Sequence, residues 1–263
     1  MSVGGSPYAG HVIQLGPSLA VVLTVFAAAA AALVWLGRLG AWHAILTAAV
    51  RATVQLAAVS LLITAVLHSG WLTAAFVLMM FTVAAITSGR RFGDWSDAIW
   101  AAAAIAAGVA PPLAALVLSG LVPATPIAVV PIAGILIGGA MTATTLAGRR
   151  ALDELKTRRG EYEAALALGF MPRDAALLIC RPTAGQALVP ALDQTRTVGL
   201  VTLPGAFVGV LLGGASPMQA GATQLVVLIS LLLVEAVGVL VIVELIASER
   251  VRRPIPSESS PHT

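Results

Sequence analysis

Charge is scarce in this sequence. Asp, Glu, Lys and Arg supply 10% of its 263 residues, against about 25% in soluble domains. With 59% hydrophobic residues, there is too little polar side chain to clothe a water-soluble fold. Cysteine is nearly missing as well: Cys180 stands alone, which excludes an intramolecular disulfide and a multi-cysteine metal centre. The histidines (His11, His43, His68 and His262) fall in loops or tails without paired ligand spacing, so no tight imidazole metal site is expected. The short alternating segments of a transmembrane β-barrel are absent. No basic stretch precedes the first apolar run, so a cleavable signal peptide is not expected. The formal net charge of +3 is too small to argue for nucleic acid.

What the chain has is apolar runs of about 20 residues, the length that crosses a ~30 Å hydrocarbon core as a helix. Seven are expected: 17–36, 48–67, 71–88, 97–119, 127–148, 186–214 and 218–247. Trp42 and His43 read as a link before the second span, whose first turn would carry Arg51. Ser96 or Asp97 is suited to cap the fourth. Leu203-Pro204-Gly205 should break or kink the sixth, whose first turns would hold Pro190, Asp193 and Arg196. The reading is therefore an all-α polytopic membrane bundle. Residues 1–250 form one permease-like domain with a cytoplasmic loop at 149–185, and 251–263 form a disordered tail.

The 15 Lys and Arg fall at 38, 51, 90, 91, within 149–181, and at 196, 250, 252 and 253. With seven spans all of them lie at one set of ends. The positive-inside rule then places the N-terminus outside and the C-terminus in the cytoplasm. Gly134 with Gly138, and Gly205, Gly209 and Gly213, recur at the spacing that lets helices approach closely in lipid. No internal repeat supports an inverted-repeat carrier.

One stretch resists the apolar pattern: RRALDELKTRRGEYEAALALGFMPRDAALLICRP, 149–182. A chain this apolar has no folding reason to keep so long a polar interruption, which suggests a surface for a soluble partner. Within it, EYEAALAL is a short amphipathic helix that Gly169 should end, and Pro172 sits near the start of a second helix. Glu163-Ala164-Ala165, then Gly169, then Ile179 and Pro182 match in spacing the EAA loop of ABC transporter permeases, with Arg181 where that pattern has Leu. The resemblance implies that Glu161, Glu163, Ala164, Ala165 and Gly169 contact a separate ATPase subunit.

A second resemblance covers about 200 residues. RATVQL (51–56), GGAMTATTLAGRRALDEL (138–155), the loop just described, VGLVTLPGAFVGVLLGG (198–214) and Gln224 resemble the FetB-type permease family of iron-export ABC transporters. It implies a transport subunit that works as two copies and is not itself an enzyme. It also implies ATP and Mg on the partner, a prokaryotic plasma (inner) membrane, and export of a metal ion, iron first.

The polar groups at membrane depth are few. Glu235, between LLLV and AVGVL, is the clearest intramembrane charge, and such groups usually face a cavity or a partner. Gln55, Met141, Thr142, Thr144, Thr145, Pro204, Gly205 and Gln224 are further pathway candidates. Membrane threonines, however, often bond to their own backbone. Asp193 and Arg196 share a helix face and, with Arg51, suggest an inner gate or structural network. No metal site follows from spacing alone. The competing reading is an ATP-independent secondary carrier or channel using Glu235 as its coupling carboxylate. A membrane enzyme lacks any motif.

Overall fold

The computed structural model describes residues 16–251; His11, His262 and the tail from 252 lie outside the described residues. Seven helical segments are long and apolar enough to cross a membrane, and the fold is a helical membrane bundle. Two compact units are distinguished, one up to Ser69 and one from Gly70.

The first unit is a helical hairpin of α1 (Pro17–Leu36) and α2 (Trp42–Leu67). Its turn places Arg38 at φ +50° and Gly40 at φ +142°. Trp42 and His43 open α2 rather than linking to it. Arg51 accordingly lies in the third turn, about 13 Å from the helix start at 1.5 Å per residue, and not in the first. Only Ala31 of α1 and Val66 of α2 are buried.

In the second unit, α3 (Gly70–Phe92), α4 (Ala98–Leu118), α5 (Pro126–Thr157) and α10 (Pro217–Ala247) pack on one another. Asp97 is the N-cap residue of α4, as expected, although its side chain makes no cap hydrogen bond to that helix. Asp94 begins a single 3-10 turn, and its backbone N–H donates to Asp97 Oδ2 at 2.8 Å. Lipid gives helices no hydrophobic reason to associate, so close packing must hold them, and the core is built accordingly from alanine and glycine. Ala101, Ala104, Ala133, Ala140 and Ala147 are fully buried. A Cβ on Gly108 would lie 2.6 Å from the Val234 carbonyl oxygen, and one on Gly89 would lie 2.5 Å from the Ala98 nitrogen. The glycines singled out by spacing behave differently, since a Cβ on Gly138, Gly205 or Gly209 would meet nothing within 4 Å. Val251 is 1% exposed in this core.

At 32 residues, α5 is about 48 Å long and outruns the ~30 Å hydrocarbon core. It carries the start of the charged island out as helix, ending at Thr157 rather than near 148. Then follow α6 (Arg159–Ala167) and α7 (Pro172–Ala184). A 3-10 turn over Gly185–Leu188 joins α7 to α8 (Val189–Thr197), and α9 (Gly205–Leu212) comes after a break. The sixth crossing is thus not one helix over 186–214. It starts at Pro172, which makes the second helix of the island the beginning of the span. The run stops at Thr197, well before the expected Pro204. Asp193 and Arg196 therefore sit in its last turns rather than its first, at the end away from the charged island.

Candidate functional site

Two places in the second unit bring functional side chains together. The first is the elbow made by the end of α5, α6 and the start of α7. Its turn follows from Gly169, which takes φ +91°, a region where a Cβ is disfavoured. The Gly169 N–H donates to the Leu166 carbonyl at 2.9 Å and the Phe170 N–H to that of Ala165 at 3.1 Å. This paired closure is the Schellman arrangement, which satisfies the carbonyls a helix end leaves open. Pro172 then occupies the first turn of α7, where its missing N–H costs nothing.

The two glutamates of α6 are held by neighbouring arginines. Arg159 Nε donates to Glu163 Oε1 at 2.8 Å, and Arg158 pairs with both Glu154 (3.8 Å) and Glu161. The Arg158 hydrogen bond holds the Glu161 carboxyl below the usual carboxylate range. Ala164 is exposed, but Ala165 is 6% exposed. Ala165 belongs to the packing of the elbow. The outer surface instead carries Leu168 (80% exposed), Phe170 (48%) and Met171 (71%). Sequence reasoning missed these, although three large apolar residues bracketing Gly169 inside a charged stretch were a usable signal. Arg173 at the start of α7 forms an ion pair with Glu244 in the last turn of α10. Glu244 therefore anchors the elbow to the bundle rather than reaching for the membrane surface.

The second place is a cleft of about 580 Å³ where the sixth crossing breaks. Pro131, Gly134 and Ile135 of α5, Gln194 of α8, Pro204 with Gly205 and Ala206, and Gln224, Val227, Leu228 and Leu231 of α10 line it. The break is compact: the N–H groups of Leu200 and Val201 both donate to the Thr197 carbonyl, and that of Gly199 to Thr202. An irregular backbone at membrane depth is tolerated only when its polar groups find such partners. Gln224 Oε1 accepts from the Phe207 N–H at 3.1 Å, capping α9 from another helix. Three predicted residues, Pro204, Gly205 and Gln224, thus meet here with Gln194, which was not foreseen.

The remaining candidates lie elsewhere. Glu235 is 7% exposed in the α5–α10 contact, with its Oε1 placed 2.9 Å from where a Cβ on Gly139 would stand. It makes no hydrogen bond to another described residue. Thr142 bonds back to the Gly138 carbonyl (3.0 Å), and Thr145 bonds to that of Met141 (2.6 Å) and to Ser88 Oγ (2.9 Å). Met141 packs against the apolar core. Thr144 Oγ1 is buried without a partner, 3.0 Å from where a Cβ on Gly238 would stand. Gln55 lines a hollow of about 460 Å³ with Arg51 and Thr47 on α2, in the first unit. Asp193 and Arg196 pair at 3.6 Å, both largely exposed. No group of three or more His, Cys, Asp or Glu suited to a metal occurs among the described residues.

Seven apolar helical segments, with a break in the sixth and a helical elbow beside them, define a multi-pass integral membrane protein. The chain belongs to the Uncharacterised protein family (UPF0014), which it matches over residues 18–250. It is 34% identical over 228 residues to the "UPF0014 membrane protein STAR2" of Oryza sativa subsp. japonica, covering 85% of this chain and 80% of that one. It is 36% identical over 162 residues to the "Protein ALUMINUM SENSITIVE 3" of Arabidopsis thaliana, covering 61% and 59%. The similarity to the "Probable iron export permease protein FetB" of Escherichia coli (strain K12) is 31% identity over 129 residues, 49% of this chain and 50% of FetB. The resemblance to FetB-type permeases therefore holds at the level of the family. No solved structure matches.

Proposed function

We propose that this chain is the permease subunit of an ABC transporter, driven by a separate ATPase that docks on the 161–169 elbow. The single observation that carries the reading is the elbow itself. A rigid helix–turn–helix projects beyond the membrane-crossing length of α5 and exposes Leu168, Phe170 and Met171 beside Glu163 and Ala164. Large apolar side chains on an extramembrane tip mark a contact surface, and the flanking ion pairs fix its shape. The Arg173–Glu244 pair ties the start of α7, on which α6 packs, to α10, so a push on α6 passes through α7 into α10.

In this reading the elbow faces the cytoplasm, which puts the N-terminus outside and the C-terminus inside. Arg90, Arg91, the 149–159 cluster and Arg250 supply the cytoplasmic positive charge. ATP and Mg belong to the partner, and two copies of the chain form the pathway, with the cleft at the broken sixth crossing as its substrate-facing part. The membrane is the plasma (inner) membrane of a prokaryote. The cargo is a metal ion moved outward, iron first, a choice supported by the name of the FetB relative. A second reading, an ATP-independent carrier or channel working through Glu235, draws on the burial of that carboxyl in the α5–α10 contact.

The test is purification of the tagged chain from its native membrane with its ATPase subunit. Leu168→Asp and Glu163→Arg, both exposed and outside the bundle core, should cut ATPase capture at least about tenfold, as loss of an interface anchor does. Undiminished capture by both variants would refute docking at the elbow.

A further inference from the structure

The sixth crossing has an exposed face that does not suit lipid. Along Pro172–Thr197, Asp174, Leu178, Arg181, Val189, Asp193 and Arg196 are all exposed. Spacings of four and three put Asp174, Leu178 and Arg181 on one side of α7, and Val189, Asp193 and Arg196 on one side of α8, with the 3-10 turn Gly185–Leu188 between the two sets. Ala175, Ala176, Cys180 and Ala184 of α7 and Ala191 of α8 are buried against the bundle. The position of the far end of this face is fixed by its neighbours. Gln194 shares the cleft with Gln224, Leu228 and Leu231, so Asp193 and Arg196 lie alongside the apolar run 225–234 of α10. Charges at that depth avoid lipid and face a cavity, water or another protein surface.

We propose that a second copy of this chain covers this face, and that Asp193 of each copy pairs with Arg196 of the other. The proposal rests on the two-copy permease reading above. Copies inserted in the same sense are related by an axis along the membrane normal, so the two α8 helices run parallel and residues of equal number meet at equal depth. A face with one sign of charge would repel its own image there. This one carries an acid and a base three residues apart, about 4.5 Å along the axis. Each Asp193 therefore reaches the partner's Arg196, and the contact forms two reciprocal ion pairs. Their long intrahelical separation of 3.6 Å and high exposure, 61% for Asp193 and 72% for Arg196, leave both groups free to turn outward. The cleft lies beside this seam, so the pairs would close the space between the two copies next to it.

Charge reversal in two differently tagged chains tests this directly. Asp193→Arg leaves two bases on the face, and Arg196→Asp leaves two acids. Each variant expressed alone should lose about tenfold or more in co-purification of its two tags, because like charges then meet across the axis. Co-expression of one with the other restores both reciprocal pairs, and co-purification should return to the wild-type level. If pairing is only within each helix, the mixed pair has no complementary partner and stays impaired, which overturns the proposal. Equal co-purification for all combinations places the contact elsewhere and also overturns it.

A second variant keeps the charges intact. Val189→Cys with Cys180→Ala should give a disulfide-linked dimer on mild oxidation. The absence of any linked dimer would overturn the proposal. ATPase capture, read on the same preparations, is separate: its loss with dimers intact counts against elbow docking and leaves this contact standing.

Discussion

At the scale of single residues, function and packing divide the polar groups. Thr142 and Thr145 satisfy themselves on their own helix, while Gln224 reaches across to cap α9. Gln224→Leu should leave the Phe207 N–H without a partner and cost about 1–3 kcal/mol, seen as faster hydrogen exchange across 205–212 than in the wild type. Glycines divide in the same way. Gly108→Ala drives a Cβ into the Val234 carbonyl and should destabilise the bundle by about 1–3 kcal/mol. Gly138→Ala meets nothing and should be neutral, or stabilising by up to about 1 kcal/mol through helix propensity. Thermal unfolding in detergent compares the two. Sequence spacing chose Gly134 and Gly138 as contact glycines, yet Gly89, Gly108 and Gly139 make much closer approaches. A spacing of four identifies a stripe on one helix but not the neighbour that the stripe faces. Glu235→Gln separates the two functional readings: ATP-driven flux survives it if the carboxyl only packs, whereas in an ATP-independent carrier the gradient-driven flux disappears with the coupling carboxyl.

At the scale of elements, α6 was legible almost to the residue, because EAALALG ends in a glycine whose φ of +91° only that residue adopts readily. The seven crossings were legible too, since length and hydropathy alone specify them. The sixth was placed wrongly for a physical reason. Its first half, Pro172–Ala184, buries alanines and exposes charge, so its mean hydropathy resembles a loop. The bundle nonetheless supplies the missing apolar environment on one side. The break was expected at Pro204 but begins at Val198, where Gly199 takes φ +80°, and no proline marks that spot. The ion pairs of α6 have a defined pH dependence. Glu161 is depressed by Arg158, so its contribution is present above the unfolded carboxylate value and is lost as pH falls through the folded one. Helicity of the elbow should therefore hold at neutral pH and decline only in acid, and Glu161→Gln should remove that acid step from a pH titration of ATPase capture.

At the scale of the whole molecule, three features stand together: a membrane bundle held by close packing, a broken crossing that opens a cleft within it, and an elbow that in the proposed reading receives work from a separate ATPase. The first follows from the apolar composition, and the third from a polar interruption that such a composition does not need. The cleft was only half visible, because Gln194 and Pro131 approach Gln224 through tertiary packing that no local pattern specifies. The measurement that bears most directly on the account is metal-ion flux in proteoliposomes holding this chain with its ATPase subunit. The account predicts ferrous-ion transport that requires both the ATPase and hydrolysable ATP, and that Leu168→Asp reduces about tenfold or more. Equal flux from the chain alone, driven by an ion gradient without ATP, would contradict it.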